Sequence, residues 1–167
     1  MELSILPIGA FDEEFLNIIQ NYLKLFRFQT VILKEIEIPK TAFFESRNQY
    51  LSQHFLKLAE GFPGDRVLAV TNVDLFHPGL NFIFGQARYS GRVCIISTYR
   101  LKTKNLEIFV DRVLKEANHE LGHTFGLRHC QNSKCVMFFS NSLWDTDNKS
   151  KDFCENCRKL LENEGVF

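Results

Sequence analysis

The chain has 167 residues, 45% hydrophobic and 24% charged, which is the composition of an ordinary globular protein with enough apolar material for a full core; intrinsic disorder is excluded. Twenty Lys and Arg balance twenty Asp and Glu, which removes the usual electrostatic ground for a nucleic-acid or anionic-membrane partner. No apolar run approaches the roughly 20 residues of a membrane span, and Glu2 stands where a signal peptide would carry positive charge, so a soluble, cytoplasmic protein is expected.

In chain order, Leu3 to Ile8 is a short apolar run suited to a buried strand, and Asp12-Glu13-Glu14 opens an amphipathic helix carrying Phe15, Ile19, Tyr22, Leu23 and Phe26. Val31 to Ile38 alternates as a strand up to Pro39. Ser46 to Gln49 has capping-box spacing ahead of a helix with Leu51, Phe55 and Leu58, which repeats the strand-helix unit. Arg66 to Val73 is the next strand. Phe82 to Tyr89 and Arg92 to Thr98 face each other across Ser90-Gly91, a hairpin turn, so one strand is expected to run against a mostly parallel sheet. A long helix is expected from the cap Asn105 to about Phe125, stopped by Gly126. Its stripe Leu106, Val110, Val113, Ala117, Leu121 and Thr124 should pack on the sheet, leaving Arg112, Glu116, His119, Glu120 and His123 on the opposite face. Beyond Gly126 comes a turn-rich, cysteine-bearing segment that closes with a helix from Asp152 to Glu164, where Asp152 and Glu155 again have capping spacing. The expected organisation is a single α/β domain over 1–167, with an upper part over 1–126 and a smaller lower part over 127–167.

His119-Glu120-Leu121-Gly122-His123 is an HExxH element, in which helical spacing stacks both imidazoles within reach of one ion. The continuation to Gly126 and His129 completes HExxHxxGxxH: the glycine lets the chain leave the helix sharply, and His129 can return as a third nitrogen ligand. Three protein ligands leave one position of a tetrahedral zinc open, which is the arrangement of a catalytic site. Glu120 adjoins His119 but is turned about 100° around the helix, so it can flank the ion and act as general base. His54 and His77 lie outside any ligand spacing and are assigned no role.

Of the five cysteines, Cys94 stands alone in an apolar strand and reads as core, whereas Cys130, Cys135, Cys154 and Cys157 crowd into the last quarter. C-x4-C plus C-x2-C is the arithmetic of a closed structural zinc site, one that would fasten the C-terminal helix to the end of the active-site helix. Free buried thiols or a redox-active pair are the alternative reading. Met137 on its own would pass as packing.

Taken together, HELGHTFGLRHC and CVM resemble the metzincin metalloproteases, and among them the archaemetzincins, at His119, Glu120, His123, Gly126, His129, Cys130, Cys135, Met137, Cys154 and Cys157. Ser46 to Tyr50 and Leu80 to Ala87 are similar to the same family. The resemblance implies a twisted, mostly parallel sheet of about five strands with an active-site helix. It also implies an antiparallel edge strand along the cleft, here Phe82 to Arg88, and a turn at Met137 beneath a catalytic zinc. A second, structural zinc would fasten the small C-terminal part. The expected function is a monomeric, zinc-dependent peptidase with two zinc ions and a peptide or protein substrate that binds as an added strand. The sequence departs from some metzincins in having no tyrosine after Met137, which leaves zinc alone, Arg128 or Asn141 to steady the oxyanion. A peptide-binding module without turnover and a hydrolase of some non-peptide amide are the competing readings; Glu120 argues against the first.

Overall fold

A computed structural model describes residues 1–24 and 26–167. Strand β5 (Arg66–Thr71) is central to a five-stranded sheet with β1 (Glu2–Ile8), β2 (Gln29–Ile32), β7 (Gly85–Ala87) and β8 (Val93–Ser97), in the order β2-β1-β5-β8-β7. Four strands are parallel, and β7 closes one edge antiparallel to β8 with Gly85 opposite Ile96. The pleat divides each strand between two cores. Leu3, Ile5, Leu68, Val70, Cys94 and Ile96 face helices α1 (Glu13–Leu23) and α3 (Leu106–Thr124), while Leu6, Ile8, Val67, Ala69, Val93 and Ile95 face α2 (Ser52–Ala59). A sheet covered on both faces needs apolar residues at consecutive positions, which is why these strands read as runs. Cys94 is fully buried, and burial pushes its thiol well above the usual range, as befits a core residue.

Several expectations are corrected. The strand predicted over Val31 to Ile38 ends at Ile32; beyond it Leu33 and Ile36 donate to the carbonyls of Ile5 and Pro7, but Pro7 has no N–H to return on that side, and the regular ladder stops. Ser46 caps no helix. Asn48 takes a left-handed φ of 53°, and Gln49–Leu51 form β4 in a second, three-stranded sheet with β3 (Phe43–Phe44) and β6 (Leu75–Phe76), so α2 begins only at Ser52. Gln49 cannot serve a capping box because its amide is engaged by Asp74 and Asn81. The final helix, α5 (Glu155–Asn163), has Cys154 at its N-cap rather than Asp152, whose backbone N–H is taken by the Ser150 hydroxyl. A further helix, α4 (Leu143–Asn148), carries the capping box Ser142/Asp145.

The long helix runs as predicted. The Asn105 side chain accepts from the Ile108 N–H, and Gly126 takes a φ of +83° where the chain turns away. Its second face, however, is not at the surface. Arg112, Glu116, His119 and Glu120 are all less than 10% exposed, whereas Leu106 is 67% exposed. The segment after Gly126 folds back over that polar face: Cys135, Val136, Met137, Cys157 and Leu161 join the same core as Leu3 and Val113. Periodicity along one helix cannot show a cover supplied by distant chain.

Candidate metal centre and cleft

Two turns of α3 place His119 and His123 one above the other, and the turn at Gly126 brings His129 back beside them; one nitrogen from each ring lies within 4.8 Å of the others. The rings are oriented by backbone. His119 Nδ1 donates to the Val136 carbonyl at 2.8 Å and His123 Nδ1 donates to the Leu127 carbonyl at 2.7 Å. Both Nδ1 atoms therefore carry hydrogen, and the two Nε2 atoms, 3.2 Å apart, turn lone pairs toward each other. Such a pair repels unless a cation lies between, and about 3.3 Å is the ligand spacing of a tetrahedral ion with zinc-nitrogen bonds. Burial lowers the basicity of all three rings, with the Lys149 ammonium adding to it, so they favour the neutral form that a metal requires. The donor set fits zinc.

Met137 is fully buried against the same helix, at Gly122. Val136 holds His119, and the Cys130 N–H donates to the Met137 carbonyl at 2.9 Å. A Cβ built on Gly122 would run into the Met137 sulfur and lie 3.2 Å from the Phe153 ring, so the glycine of the HExxH element makes room for this turn.

Glu120 is buried beside the histidines, on the wall of a cavity of about 220 Å³. Burial, and after it Glu116, push the Glu120 carboxyl well above the usual carboxylate range, while Lys149 pulls it down. Gly85 on the edge strand makes the fit possible: a Cβ there would lie 2.7 Å from Glu120 Cγ and 2.8 Å from Oε1. The cavity is walled by Phe82, Phe84 and Phe139, with Glu116 also on its lining. Asn141 borders this cavity, whereas Arg128 lies on a separate opening with Tyr89, His123 and His129. His54 and His77 are not among the groups that could hold a metal.

The four cysteines meet as a second group. Their sulfurs all lie within 4.8 Å of one another, and Cys130 and Cys154 are 3.7 Å apart. That is far beyond a disulfide bond and close to the edge of a sulfur tetrahedron around zinc, about 3.8 Å for bonds of about 2.3 Å. Backbone N–H groups of Asn132 and Cys154 point at the sulfurs of Cys130 and Cys135. Zinc suits these four as well.

Sequence reasoning missed Lys149. Its side chain is wholly buried, 3.4 Å from Glu116 and 3.3 Å from the Phe138 carbonyl, and no spacing marks it. Gly85 was legible only as part of a family-like stretch. The capping spacing Ser142-x-x-Asp145 is the sequence signal for α4.

Residues 6–163 match peptidase family M54. The chain is similar to the archaemetzincin of Methanopyrus kandleri, 48% identical over 131 residues that cover 77% of this chain and 75% of the relative. It is also similar to that of Pyrococcus furiosus, 41% identical over 174 aligned positions covering 95% and 91%. The crystal structure of the Methanopyrus kandleri archaemetzincin superposes with a TM-score of 0.91 at 38% identity, over 98% of this chain and 94% of that one.

Proposed function

The chain belongs to peptidase family M54, the archaemetzincin zinc metallopeptidases, and from that premise we propose that it hydrolyses peptide bonds with His119, His123 and His129 holding the catalytic zinc and Glu120 as general base. The observation that carries this reading is the convergence of two imidazole lone pairs, fixed by Val136 and Leu127, next to a buried carboxylate with raised proton affinity. Zinc, when bound, supplies an acidified water and a Lewis acid for the scissile carbonyl. Glu120 would accept the proton of an attacking water and return it to the leaving amine; its elevated basicity in a buried site suits both tasks. Gly85 and the aromatic wall keep bulk water from the carboxylate. Strand β7 lies at the edge of the sheet, with no further strand beyond it among the described residues, so an extended peptide can add to it through backbone hydrogen bonds. Cys130, Cys135, Cys154 and Cys157 hold a second zinc that ties α5 to the end of α3, and no helix among the described residues is long and apolar enough to cross a membrane.

The test is Glu120→Ala in the zinc-loaded protein, screened beside the wild type on a broad peptide library. Zinc content and fold should be kept while turnover falls by about 10² to 10⁴. Full activity in the variant would overturn the assignment. A wild type that binds peptides in the cleft without cutting any of them would mean a binding module instead.

A further inference from the structure

Two family-like stretches, Ser46 to Tyr50 and Leu80 to Ala87, have no part in metal binding, yet they meet in space. Arg47 donates through Nη2 to the carbonyls of Leu80 at 2.7 Å and Asn81 at 3.2 Å, and through Nε to the Gln49 side chain at 3.0 Å. Gln49, 6% exposed, passes the contact on, its amide nitrogen donating to the Asn81 carbonyl at 2.8 Å and to Asp74 at 3.1 Å. Asp74 in turn accepts two bonds of 2.7 Å from Arg100, whose guanidinium lies 4.2 Å over the Phe82 ring. Phe82 meets Phe84 edge to face at 5.2 Å, and both rings wall the cavity on which Glu120 and His119 lie. Backbone carbonyls at 80 and 81 and a ring at 82 are thus gripped from both sides by charged groups that never reach the reacting centre.

We propose that Arg47, Gln49, Asp74 and Arg100 form a clasp that positions segment 80–84 and thereby sets which substrate side chain the cavity beside Glu120 accepts. The segment leads directly into Gly85, and its own hydrogen bonds to the sheets are few: Ile83 forms a single bridge to Leu75 and Phe84 accepts one bond from Ser97. A wall so lightly laddered takes its position from side chains. The clasp residues are positioning residues: a misplaced wall changes fit to a bulky side chain and leaves the metal ligands alone, because those ligands are oriented from Val136 and Leu127. The aromatic rings make the cavity suited to a large apolar or aromatic side chain. This inference rests on the metallopeptidase reading above.

Two hydroxamates separate the effects in the zinc-loaded protein. Acetohydroxamate reaches the metal alone, and a peptidyl hydroxamate with a benzyl side chain also fills the cavity. In Arg47→Ala, calorimetric Kd for the benzyl compound should rise about tenfold, the scale of losing one charge-assisted hydrogen bond's worth of positioning. Acetohydroxamate affinity and zinc content should stay as in the wild type. Arg47→Lys, which still donates to one carbonyl, should recover part of the loss. Arg100→Gln, acting on Phe82 from the other side, should repeat the selective loss should Arg47→Ala fold poorly. Parallel weakening of both compounds, or no change in either, would overturn the clasp. A wild type that binds neither zinc nor acetohydroxamate would instead overturn the metallopeptidase reading, and the clasp with it.

Discussion

Replacing Lys149 with Met tests how the C-terminal segment is bound to the active-site helix. The Lys149 side chain is 0% exposed and Glu116 4%, with 3.4 Å between Nζ and Oε1; the ammonium also donates to the Phe138 carbonyl. At a surface such a pair contributes about 0–1 kcal/mol, but removing one partner of a buried pair leaves an uncompensated charge and costs about 3–5 kcal/mol. The separation is long for a direct ion pair, and the Thr146 hydroxyl remains 3.5 Å from Glu116, so the lower end, about 3 kcal/mol, is expected. For a chain of this size that corresponds to a melting temperature lower by about 6–12 °C. Glu116→Gln combined with Lys149→Met should recover most of the loss, because neither charge then needs the other. Urea unfolding of Lys149→Met, Glu116→Gln and the double variant at one fixed zinc concentration measures this. A cost below about 1 kcal/mol for the single variant, or a double variant as unstable as the sum of the singles, would refute the reasoning. The same ammonium pulls down the raised pKa of Glu120. An acid that loses such a neighbour ionises only at higher pH, so the acidic limb of the activity profile should move upward in Lys149→Met; an unmoved or downward-shifted limb would contradict the electrostatic account.

Metal analysis should find two zinc ions per chain, and a mild chelator should take the one at the histidines first, since His129 is exposed whereas Cys135 and Cys157 are buried; simultaneous loss with unfolding would count against separate roles. Gly122→Ala improves helix propensity by about 1 kcal/mol but drives a methyl into Met137, and overpacking at about 1–3 kcal/mol should win, giving a lower urea midpoint. A stabilised variant would mean that the seat of Met137 is not tight.

The grouping of the histidines was readable in the sequence because ligand spacing along one helix obeys a local rule. Spacing of four residues stacks His119 and His123, Gly126 turns the chain by its own left-handed conformation, and within each cysteine pair the members lie a few residues apart, so each half of the grouping follows from short-range geometry, although the meeting of the two pairs does not. The central strands were readable for a similar reason, since burial on both faces writes itself as an apolar run. Where distant chain competes with a local preference, the local signal misleads. Ser46 has capping spacing, but pairing of Gln49 with Phe44, and of Tyr50 and Leu51 with Leu75 and Phe76, claims those residues for a strand. The polar face of the long helix has the pattern of a solvated surface, yet it is covered by residues about 15 to 40 positions later in the chain. Lys149 and Gly85 matter through atoms more than 30 residues away in sequence, Glu116 and Glu120. No periodicity encodes those meetings, because they are decided when the C-terminal segment and the edge strand close on the helix and two buried charges must find each other there.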